Sequence, residues 1–418
     1  MHILLIHQAF AALGEAGGTR HHEFARHIQS RGHQVTVIAG QLSYLSGAAV
    51  DPRQGATRST DDLGVEIIRC ASYGGWHTSF FHRVFNFVSF MWTSFWAALR
   101  VKRVDLVWGT TPPIFQALTT SWVARLKRVP FVLEVRDLWP YFAVEVGVLS
   151  NPLLIWMSER LERHLYHRAD ILIVNSPGFE DHVRGRGATR VFVVPNGADP
   201  ELISADASPA GLRQHLGLGE DTFVVIYAGA HGMSNDLEMV LETARRVRAR
   251  ERVAFVLIGA GKEKPGLQSR AAELDLNQVF FHPPVPKNEI AGYLVEANAG
   301  LAVLKDIPGY RMTYPNKVFD YMAAGLPVFC MIDGVIREVV ETAQAGVFIQ
   351  PGNPAALADA VMKWAAEPQK LARMGLDGRE YVGEHFNREI LAERMLGIMC
   401  SLVDRGEHAG DDRAKVSE

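Results

Sequence analysis

The sequence has few cysteines and little net charge, and the residues at its start lack the pattern of a secretory leader; each shortage argues against a class of protein. Cys70, Cys330 and Cys400 are odd in number and far apart among 418 residues, which argues against a disulfide framework or a zinc site and suits a reducing cytoplasm. The formal net charge of -3 gives no indication of a nucleic-acid partner. The start of the chain lacks the basic residues and the long apolar run of a signal peptide, so we expect residues 3–6 to form a β-strand.

Apolar runs of strand length alternate with helical patterns throughout the chain. Residues 3–6 lead into a glycine-bearing loop at 14–18, a helical stretch at 19–30 and a second apolar run at 34–38. The further predicted strands are residues 106–108, 131–134, 171–174 and 191–194 in the first half, and 223–228, 253–258, 279–281, 300–304, 328–331 and 347–349 in the second. This alternation predicts parallel, doubly wound sheets of the α/β class with helices on both faces.

The length of the chain predicts two Rossmann-like domains that face a cleft. Residues 1–198 are the predicted N-terminal domain, and residues 199–385 are the predicted C-terminal domain. A C-terminal helix at 386–403 is predicted to cross back to the first domain, and residues 404–418 are predicted to form a disordered tail. Ligands bind such sheets at the carboxyl ends of strands, so the functional residues are expected in the loops that follow strands.

A second feature is an acid-free, aromatic-rich stretch between Glu66 and Asp105. Nine of the 39 aromatic residues of the chain lie within residues 76–101, and large apolar residues recur there at helical spacing. The uncharged run 84–99 is too short to span a bilayer, which predicts a helix near 80–100 that lies in a membrane interface. The predicted membrane-binding residues are Phe81, Phe85, Trp92, Phe95, Trp96, Arg100, Lys102 and Arg103. A helix packed into the core and a dimer contact are the alternatives.

The segment from Gly309 to Val328 carries the clearest signal for a ligand. Pro315 and Asn316 begin a short predicted helix that ends at Gly325, and a strand follows it. A helix N-terminus exposes unpaired N–H groups that suit a phosphate, and Lys317 adds a positive charge there. Asp320, one turn further along, would reach the ribose of a bound nucleotide diphosphate. An ordinary helix–strand unit is the alternative interpretation.

This segment resembles the donor-nucleotide motif of family 4 glycosyltransferases, enzymes of the GT-B fold. Residues 17–37, with the paired glycines Gly17 and Gly18, resemble the first β–α–β unit of that family. Residues 194–199 and 227–232 resemble the crossing between the domains and the loop that opens the second domain. The resemblance covers about residues 1–400 in the family's order. It implies an acceptor-binding N-terminal domain and a C-terminal domain that binds a nucleotide sugar.

Three departures from the family pattern accompany the resemblance. Arg136 stands where many relatives have a histidine, although Asp137 beside it is kept, and this Arg-Asp-Leu-Trp-Pro form resembles the branch that adds amino sugars to bacterial surface polysaccharides. The loop after Gly229 lacks the usual arginine and lysine. Met312 replaces the first of two acids, and Asp320 stands at the second. For Asp137, a helix-capping role is the structural alternative.

The resemblance implies a set of site residues. Asp137 would orient the reacting sugar, and Lys317 would stabilise the departing phosphate, so these two are the predicted catalytic residues. The predicted donor-binding residues are Gly17, Gly18, Gly229, His231, Lys305, Arg311, Asn316, Lys317, Val318 and Asp320. Lys305, Arg311 and Lys317 would supply the positive charge missing from the loop. His231 could donate a hydrogen bond, or it could be an ordinary solvated loop histidine.

The resemblance also implies a reaction. We expect retaining transfer of a sugar, an N-acetylated amino sugar by the branch, from a UDP-sugar to a polyprenyl-linked or glycan acceptor of a surface polysaccharide such as O-antigen or capsule. The chain has no Asp-x-Asp triplet, by which transferases of the other major fold hold a metal, so neither a metal nor another cofactor is expected. The expected location is cytoplasmic, on the inner face of the plasma membrane. A nucleotide-sugar epimerase of the same fold and a non-catalytic membrane scaffold remain as alternatives.

Overall fold

The computed structural model of the protein describes residues 1–15, 17–42, 57–74, 80–247 and 252–415, without the side chains of residues 80, 81 and 405–415. The chain divides into two compact units. The first consists of Met1–Ala11, Gly18–Pro195 and Glu389–Glu418, and the second of Ala12–Gly17 and Asn196–Arg388. The first unit therefore takes its residues from both ends of the chain.

Among the described residues of the first unit, eight strands form one sheet. They are β1 (His2–His7), β2 (Gln34–Gly40), β3 (Thr57–Thr60), β4 (Glu66–Cys70), β5 (Leu106–Thr111), β6 (Phe131–Val135), β7 (Ile171–Val174) and β8 (Val191–Val193). The order is β3-β4-β2-β1-β5-β6-β7-β8, and every neighbouring pair is parallel except β3 with β4. Strands β3 and β4 are not among the predicted strands. Strand β3, Thr-Arg-Ser-Thr, is a largely exposed edge strand without apolar residues, so no hydrophobic pattern marks it.

Helices cover both faces of this sheet. They are α1 (Arg20–Ser30), α2 (Phe80–Arg100), α3 (Ile114–Lys127), α4 (Tyr141–Glu145), α5 (Pro152–Arg168) and α6 (Glu180–Gly185), with a 3₁₀ turn at Pro177–Phe179. The connections through α2, α3 and α5 all run in the same direction along the sheet, and α1 runs in the opposite direction. Right-handed crossovers therefore place α2, α3 and α5 together on one face.

Six parallel strands form the sheet of the second unit, within the described residues. They are β9 (Phe223–Ala228), β10 (Val253–Ile258), β11 (Val279–His282), β12 (Ala299–Val303), β13 (Val328–Met331) and β14 (Gly346–Phe348), in the order β11-β10-β9-β12-β13-β14. The helices are α7 (Leu212–His215), α8 (Glu238–Val247), α9 (Lys264–Glu273), α10 (Ile290–Leu294), α11 (Asn316–Ala323), α12 (Val335–Thr342), α13 (Pro354–Ala365) and α14 (Pro368–His385), with 3₁₀ turns at Met233–Asn235 and Pro308–Met312.

Strand β9 is continuously apolar in sequence because both of its faces are buried. Val224 and Ile226 belong to one hydrophobic cluster, and Val225 and Tyr227 belong to another, because alternate side chains point to opposite faces. Both faces of the sheet are thus covered, and the predicted doubly wound α/β class is confirmed. The strand order reverses between β9 and β12 in this unit and between β1 and β5 in the first, and such reversals are where α/β sheets bind ligands.

The last helix, α15 (Arg388–Lys415), packs in the core of the first unit. Leu391, Met395 and Met399 are buried in the same cluster as residues of β1, β2 and β5. Helix α15 continues as far as Lys415, through part of the polar segment 404–418 for which a disordered tail is predicted. No proline interrupts it, and its alanine, glutamate, arginine and lysine residues are compatible with a helix.

Candidate active site

Lys317, the lysine predicted to hold a phosphate, lies in the first turn of α11. Its Nζ lies 3.8 Å from the centroid of the Tyr227 ring and 3.4 Å from Oδ1 of Asn235. A Cβ atom on Gly229 would lie 3.1 Å from the same Nζ, so the glycine leaves room for the ammonium group. In the described part of the chain no carboxylate pairs with Lys317, and desolvation lowers its pKa to about 7.

His231, in the loop after β9, is fully buried, so it is not a solvated loop histidine. Its backbone N–H donates to the carbonyl of Ala260 at 2.9 Å, and its ring centroid lies 5.9 Å from that of Tyr227. Neither ring nitrogen has a hydrogen-bond partner among the described residues. Burial, followed by the charges of Lys264 and Lys317, lowers the pKa of His231 to about 4. The imidazole is therefore neutral near pH 7 and offers one donor and one acceptor nitrogen.

Two glycines allow the loops after β9 and β10 to meet backbone to backbone. A Cβ on Gly259 would lie 1.9 Å from the carbonyl oxygen of Gly229, and a Cβ on Gly261 would lie 2.3 Å from that of His231. Both glycines also have positive φ angles, of 148° and 159°. Lys264 joins the loop after β10 to the end of β11, since its Nζ donates to the carbonyls of Gly259 and His282 at 2.7 Å each. The ammonium group of Lys264 is therefore already hydrogen-bonded to two backbone carbonyls.

Asp320, the predicted ribose ligand, is held by a lysine that the sequence analysis missed. Nζ of Lys287 lies 2.5 Å from Oδ1 of Asp320, and both side chains are largely buried. Lys287 follows β11 in the segment Pro-Pro-Val-Pro-Lys, where no sequence pattern relates it to a residue 33 positions away. A carboxylate has lone pairs on both oxygens, so Asp320 can accept hydrogen bonds from hydroxyl groups while Lys287 fixes its position.

The other predicted cations do not join Lys317. Lys305 is exposed after β12, where its positive charge opposes the rise that burial causes in the pKa of Asp236. Arg311 is half exposed, and its Nη2 pairs with Oδ1 of Asp306 at 3.2 Å. The side chain of Val318 is fully buried in the core. Lys317 is therefore the predicted cation that lies beside Gly229 and His231.

Asn316, at the start of α11, has a side-chain oxygen that makes no hydrogen bond to the described residues. Its Oδ1 is buried and has no hydrogen-bond partner among the described residues. The N-cap residue, Pro315, has no side-chain oxygen, so no side chain caps this helix end. The first turn of α11 thus combines uncapped N–H groups, an unpaired amide oxygen and Lys317.

In the first unit, a buried charge network fixes the start of α1. Oε1 of Glu134 lies 2.8 Å from Nε of Arg20, and Oε2 lies 2.9 Å from Nε2 of His21. Trp108 Nε1 donates to Oε2 at 3.2 Å, and Arg20 also donates to the carbonyl of Pro195 at 2.6 Å. Burial alone would raise the pKa of Glu134, but His21 and Arg20 hold it well below its usual range. The carboxylate therefore stays ionised and anchors the helix that follows the glycine loop.

Unpaired polar atoms line up at the carboxyl edge of this sheet. His7, Thr111, Arg136 and Asn175 end or follow β1, β5, β6 and β7, which are neighbours in the sheet. Both ring nitrogens of His7, Oγ1 of Thr111, Nε of Arg136 and Oδ1 of Asn175 are buried without a hydrogen-bond partner among the described residues. Arg136 Nη2 donates to the carbonyl of Pro112 at 3.2 Å. This edge offers donors and acceptors that suit a hydroxyl-rich molecule.

Asp137 follows Arg136 at this edge and is solvent-exposed. Neighbouring protein atoms displace part of the water around its carboxylate, which raises the pKa of Asp137 to about 6, and the charge of Arg136 opposes this rise. The helix-capping interpretation of Asp137 is wrong, because α4 begins after Pro140 and no side chain caps it.

Gly18 is exposed, and a Cβ there would meet no atom within 4 Å. Gly17 has a φ of 151°, which disfavours other residues.

Comparison with known protein families decides which class of enzyme carries these groups. A family model described as a glycosyl transferase 4-like domain matches residues 16–197, and a model described as glycosyl transferases group 1 matches residues 211–381. The two matches follow each other and cover most of both units. The chain belongs to family 4 of the glycosyltransferases.

Solved structures similar to the glycosyltransferase show its GT-B fold. Sucrose-phosphate synthase from Thermosynechococcus elongatus superposes with a TM-score of 0.75 at 19% identity, over 97% of this chain and 99% of that one. Anabaena HepE in complex with UDP-glucose gives a TM-score of 0.72 at 17% identity, over 96% of this chain and 100% of that one. At these identities the likeness concerns the fold alone.

Relatives found by sequence align with a smaller share of this chain than the solved structures do. WcaI of Escherichia coli K12, provisionally assigned as a glycosyl transferase of colanic acid biosynthesis, is 25% identical over 72% of this chain and 76% of its own length. The D-inositol 3-phosphate glycosyltransferase of Xylanimonas cellulosilytica is 25% identical over 54% of this chain and 55% of its own length. The glycosyltransferase therefore matches only about half the length of that second relative.

Helix α2 of the glycosyltransferase buries Asn86 together with Phe90 and leaves three other large aromatic side chains exposed. Asn86 is fully buried and accepts a hydrogen bond from Nε2 of Gln8 at 2.6 Å. Phe85, Trp92 and Trp96 are exposed by 65%, 53% and 53%. We call these three residues the α2 aromatic face. Their exposure contradicts the alternative in which this helix packs them into the core.

The remaining predicted membrane residues are distributed around this face. Phe95 is half-buried, with its ring centroid 6.3 Å from that of Trp122. Arg100, Lys102 and Arg103 are exposed at the end of α2 and just after it. The side chain of Phe81 lies outside the described residues. Of the helices that the structure describes, none combines the length and apolar character needed to cross a bilayer.

Proposed function

We propose that the glycosyltransferase takes its sugar from a UDP-sugar and binds the diphosphate at the start of α11. The observation that carries this proposal is Lys317, a largely desolvated lysine without a carboxylate partner among the described residues. Neutral His231 and the uncapped N–H groups of α11 lie around it and suit an anion. Asp320, positioned by Lys287, accepts hydrogen bonds from the ribose. The complex of Anabaena HepE with UDP-glucose supports a donor of this class.

The proposed reaction retains the configuration of the sugar. The bond from the anomeric carbon to the donor phosphate breaks, and a bond forms on the same face to an acceptor hydroxyl oxygen. The hydroxyl proton passes to an oxygen of the departing diphosphate, so that UDP leaves. Lys317 and the start of α11 stabilise the charge that develops on the diphosphate, which removes the need for a metal. Asp137 orients the sugar.

The proposed acceptor is a polyprenyl-linked glycan in surface polysaccharide assembly, and the proposed sugar is an N-acetylated hexosamine. The polysaccharide role of WcaI supports this acceptor class. The α2 aromatic face, followed by Arg100, Lys102 and Arg103, supports attachment to the inner face of the plasma membrane, where such acceptors are built.

The experiment that tests this function measures UDP release from a panel of UDP-sugars with and without a polyprenyl-diphosphate-sugar acceptor. We expect release that requires the acceptor, survives a chelator and falls at least about a hundredfold in Asp320→Ala. Asp359→Ala, at an exposed position of α13, is the matched control and keeps full activity.

The alternatives give different results in the same assay. Conversion of the free nucleotide sugar into another, without acceptor, would identify an epimerase. Tight UDP binding with no release across the whole panel would identify a scaffold. Release that stops when the chelator is added would overturn the metal-independent mechanism alone.

A further inference from the structure

Helix α5 begins with several large apolar residues whose side chains are exposed. Its buried side chains are Glu162, Leu165 and Tyr166, all in its second half. In the first half, Leu153, Trp156 and Met157 are exposed by 63%, 58% and 53%. Exposed apolar residues on one element in such number indicate a contact surface and not chance exposure.

The start of α5 is also rigidly formed. Oδ1 of Asn151 accepts hydrogen bonds from the N–H groups of Leu153 and Leu154 at 3.0 and 3.2 Å, and Pro152 occupies the first helical position. The apolar side chains therefore project from an ordered helix end, and their exposure is a property of the fold.

Helices α2, α3 and α5 present their outer surfaces on the same side of the sheet. The rings of Phe87 and Phe115 stack at 6.0 Å between centroids and join α2 to α3. Two residues on the outside of α3, Trp122 and Leu126, are exposed by 39% and 60%. We call these two residues, together with the α2 aromatic face and with Leu153, Trp156 and Met157 of α5, the three-helix face.

Most charged side chains on this face are basic. Helices α2 and α3 contain no aspartate or glutamate. Arg125 and Arg128 lie at the end of α3, and the guanidinium of Arg160 lies 5.8 Å from the centroid of the Trp156 ring. The acid of the outer part of α5, Glu159, is paired with Arg163 and Arg186. Tryptophan and leucine bordered by arginine match the interface of an anionic bilayer.

We infer that α3 and α5 dock with α2 on an anionic lipid bilayer, so that the whole helical layer rests on the membrane. The inference extends the membrane attachment proposed for α2. Exposed basic side chains with few acidic residues among them favour the anionic headgroups of phospholipids over a protein surface, which would present both signs of charge. In this arrangement the carboxyl edge of the sheet, with Arg136 and Asp137, lies beside the membrane plane and receives an acceptor that diffuses within it.

The test measures binding of the full chain to vesicles of phosphatidylglycerol and phosphatidylcholine by co-sedimentation. One variant combines Leu153→Ser, Trp156→Ser and Met157→Ser, and a second combines Phe85→Ser, Trp92→Ser and Trp96→Ser. The control, Leu376→Ser, changes a leucine of α14 that is 64% exposed. We expect each triple variant to bind at least about tenfold more weakly than the wild type. Each variant replaces three large apolar side chains, whose exposed area would be buried in the bilayer, with serine. The control changes binding less than twofold, and vesicles of phosphatidylcholine alone bind more weakly.

The outcomes separate this inference from the proposal for α2. Loss of binding in the α2 variant with wild-type binding in the α5 variant would overturn the three-helix face and leave the α2 attachment intact. Wild-type binding in both would overturn both. A concentration-dependent dimer in sedimentation velocity that Trp156→Ser abolishes would instead identify a second copy of the chain as the occupant. Far-UV circular dichroism and UDP affinity check that each variant is folded.

A direct measurement places α5 relative to the lipid. Lipids brominated near the headgroup quench the fluorescence of tryptophans that enter the interface. We expect the quenching to fall measurably in Trp156→Phe, because this substitution removes the fluorophore and keeps the apolar ring. Equal quenching in Trp156→Phe and the wild type would show that α5 stays out of the bilayer.

Discussion

The lowered pKa of Lys317 predicts that a donor nucleotide binds together with a proton. With a pKa of about 7, the free enzyme carries this charge on about nine tenths of its molecules at pH 6 and on about one tenth at pH 8. A diphosphate beside Nζ favours the charged form and raises the pKa, because opposite charges attract strongly in a desolvated site. The affinity for the donor is therefore nearly constant below pH 7 and falls about tenfold per pH unit above it.

The assay is isothermal titration calorimetry with a UDP-sugar, whose two esterified phosphates do not titrate between pH 6 and 9. Measurement in buffers of different ionisation enthalpy gives the proton uptake, which we expect to reach about 0.9 per bound donor at pH 8. His231, with a pKa of about 4, remains neutral over this range, and Asp320 stays paired with Lys287. Lys264 also has a lowered pKa and is the other titratable lysine near the site.

Two variants isolate the role of Lys317. Lys317→Met abolishes the proton uptake and weakens binding at pH 6 by at least about tenfold. Lys317→Arg keeps a permanent charge, so its affinity varies little from pH 6 to 9. A wild-type affinity that is flat over this range, or an unchanged pH dependence in Lys317→Met, would refute the reasoning.

Three further predictions concern positions that hold the site in place. Glu134→Gln leaves Arg20 and His21 without a buried counter-charge, and we expect chemical denaturation to show a loss of about 3–5 kcal/mol, whereas exposed Glu220→Gln stays at the wild-type value. Gly259→Ala forces a Cβ against the Gly229 carbonyl and lowers stability by about 1–3 kcal/mol, while Gly266→Ala in α9, where a Cβ meets no atom, is neutral or stabilising; equal values for the two would contradict the close approach. Lys287→Met releases Asp320, so steady-state kinetics should show KM for the donor rising about three- to tenfold with kcat nearly unchanged, and an unchanged KM would exclude a positioning role.

The strands and the start of the donor helix could be predicted from local sequence. Residues 223–228, 253–258 and 328–331 are bounded as predicted, because a strand buried on both faces is a continuous apolar run. Helix α11 begins at Asn316, directly after Pro315, because the proline ring would clash with the preceding turn of a longer helix. The helix near 80–100 was marked by its aromatic spacing.

Long-range pairs could not be predicted in the same way. Arg20 and Glu134 are 114 residues apart, and Lys287 and Asp320 are 33 apart, so no local pattern relates them. Lys305 and Arg311 are predicted beside the diphosphate because they are cationic and near in sequence, but both are exposed, Lys305 after β12 and Arg311 in the turn at Pro308–Met312. The apolar start of α5 was not among the predicted features, and its exposure is visible only in the structure.

The position of α15 has a consequence for how this chain folds during synthesis. The ribosome releases the sheet of the first unit before it has made Leu391, Met395 and Met399, which complete the core of that sheet. Glu393, which accepts from His27 at 2.9 Å, arrives equally late. The first unit therefore waits, with part of its apolar surface uncovered, while the whole second unit emerges and folds. A nascent chain stalled before α15 should recruit chaperones that a completed chain does not, and a fragment ending at Pro195 should be rescued by a peptide of residues 389–404 supplied in trans.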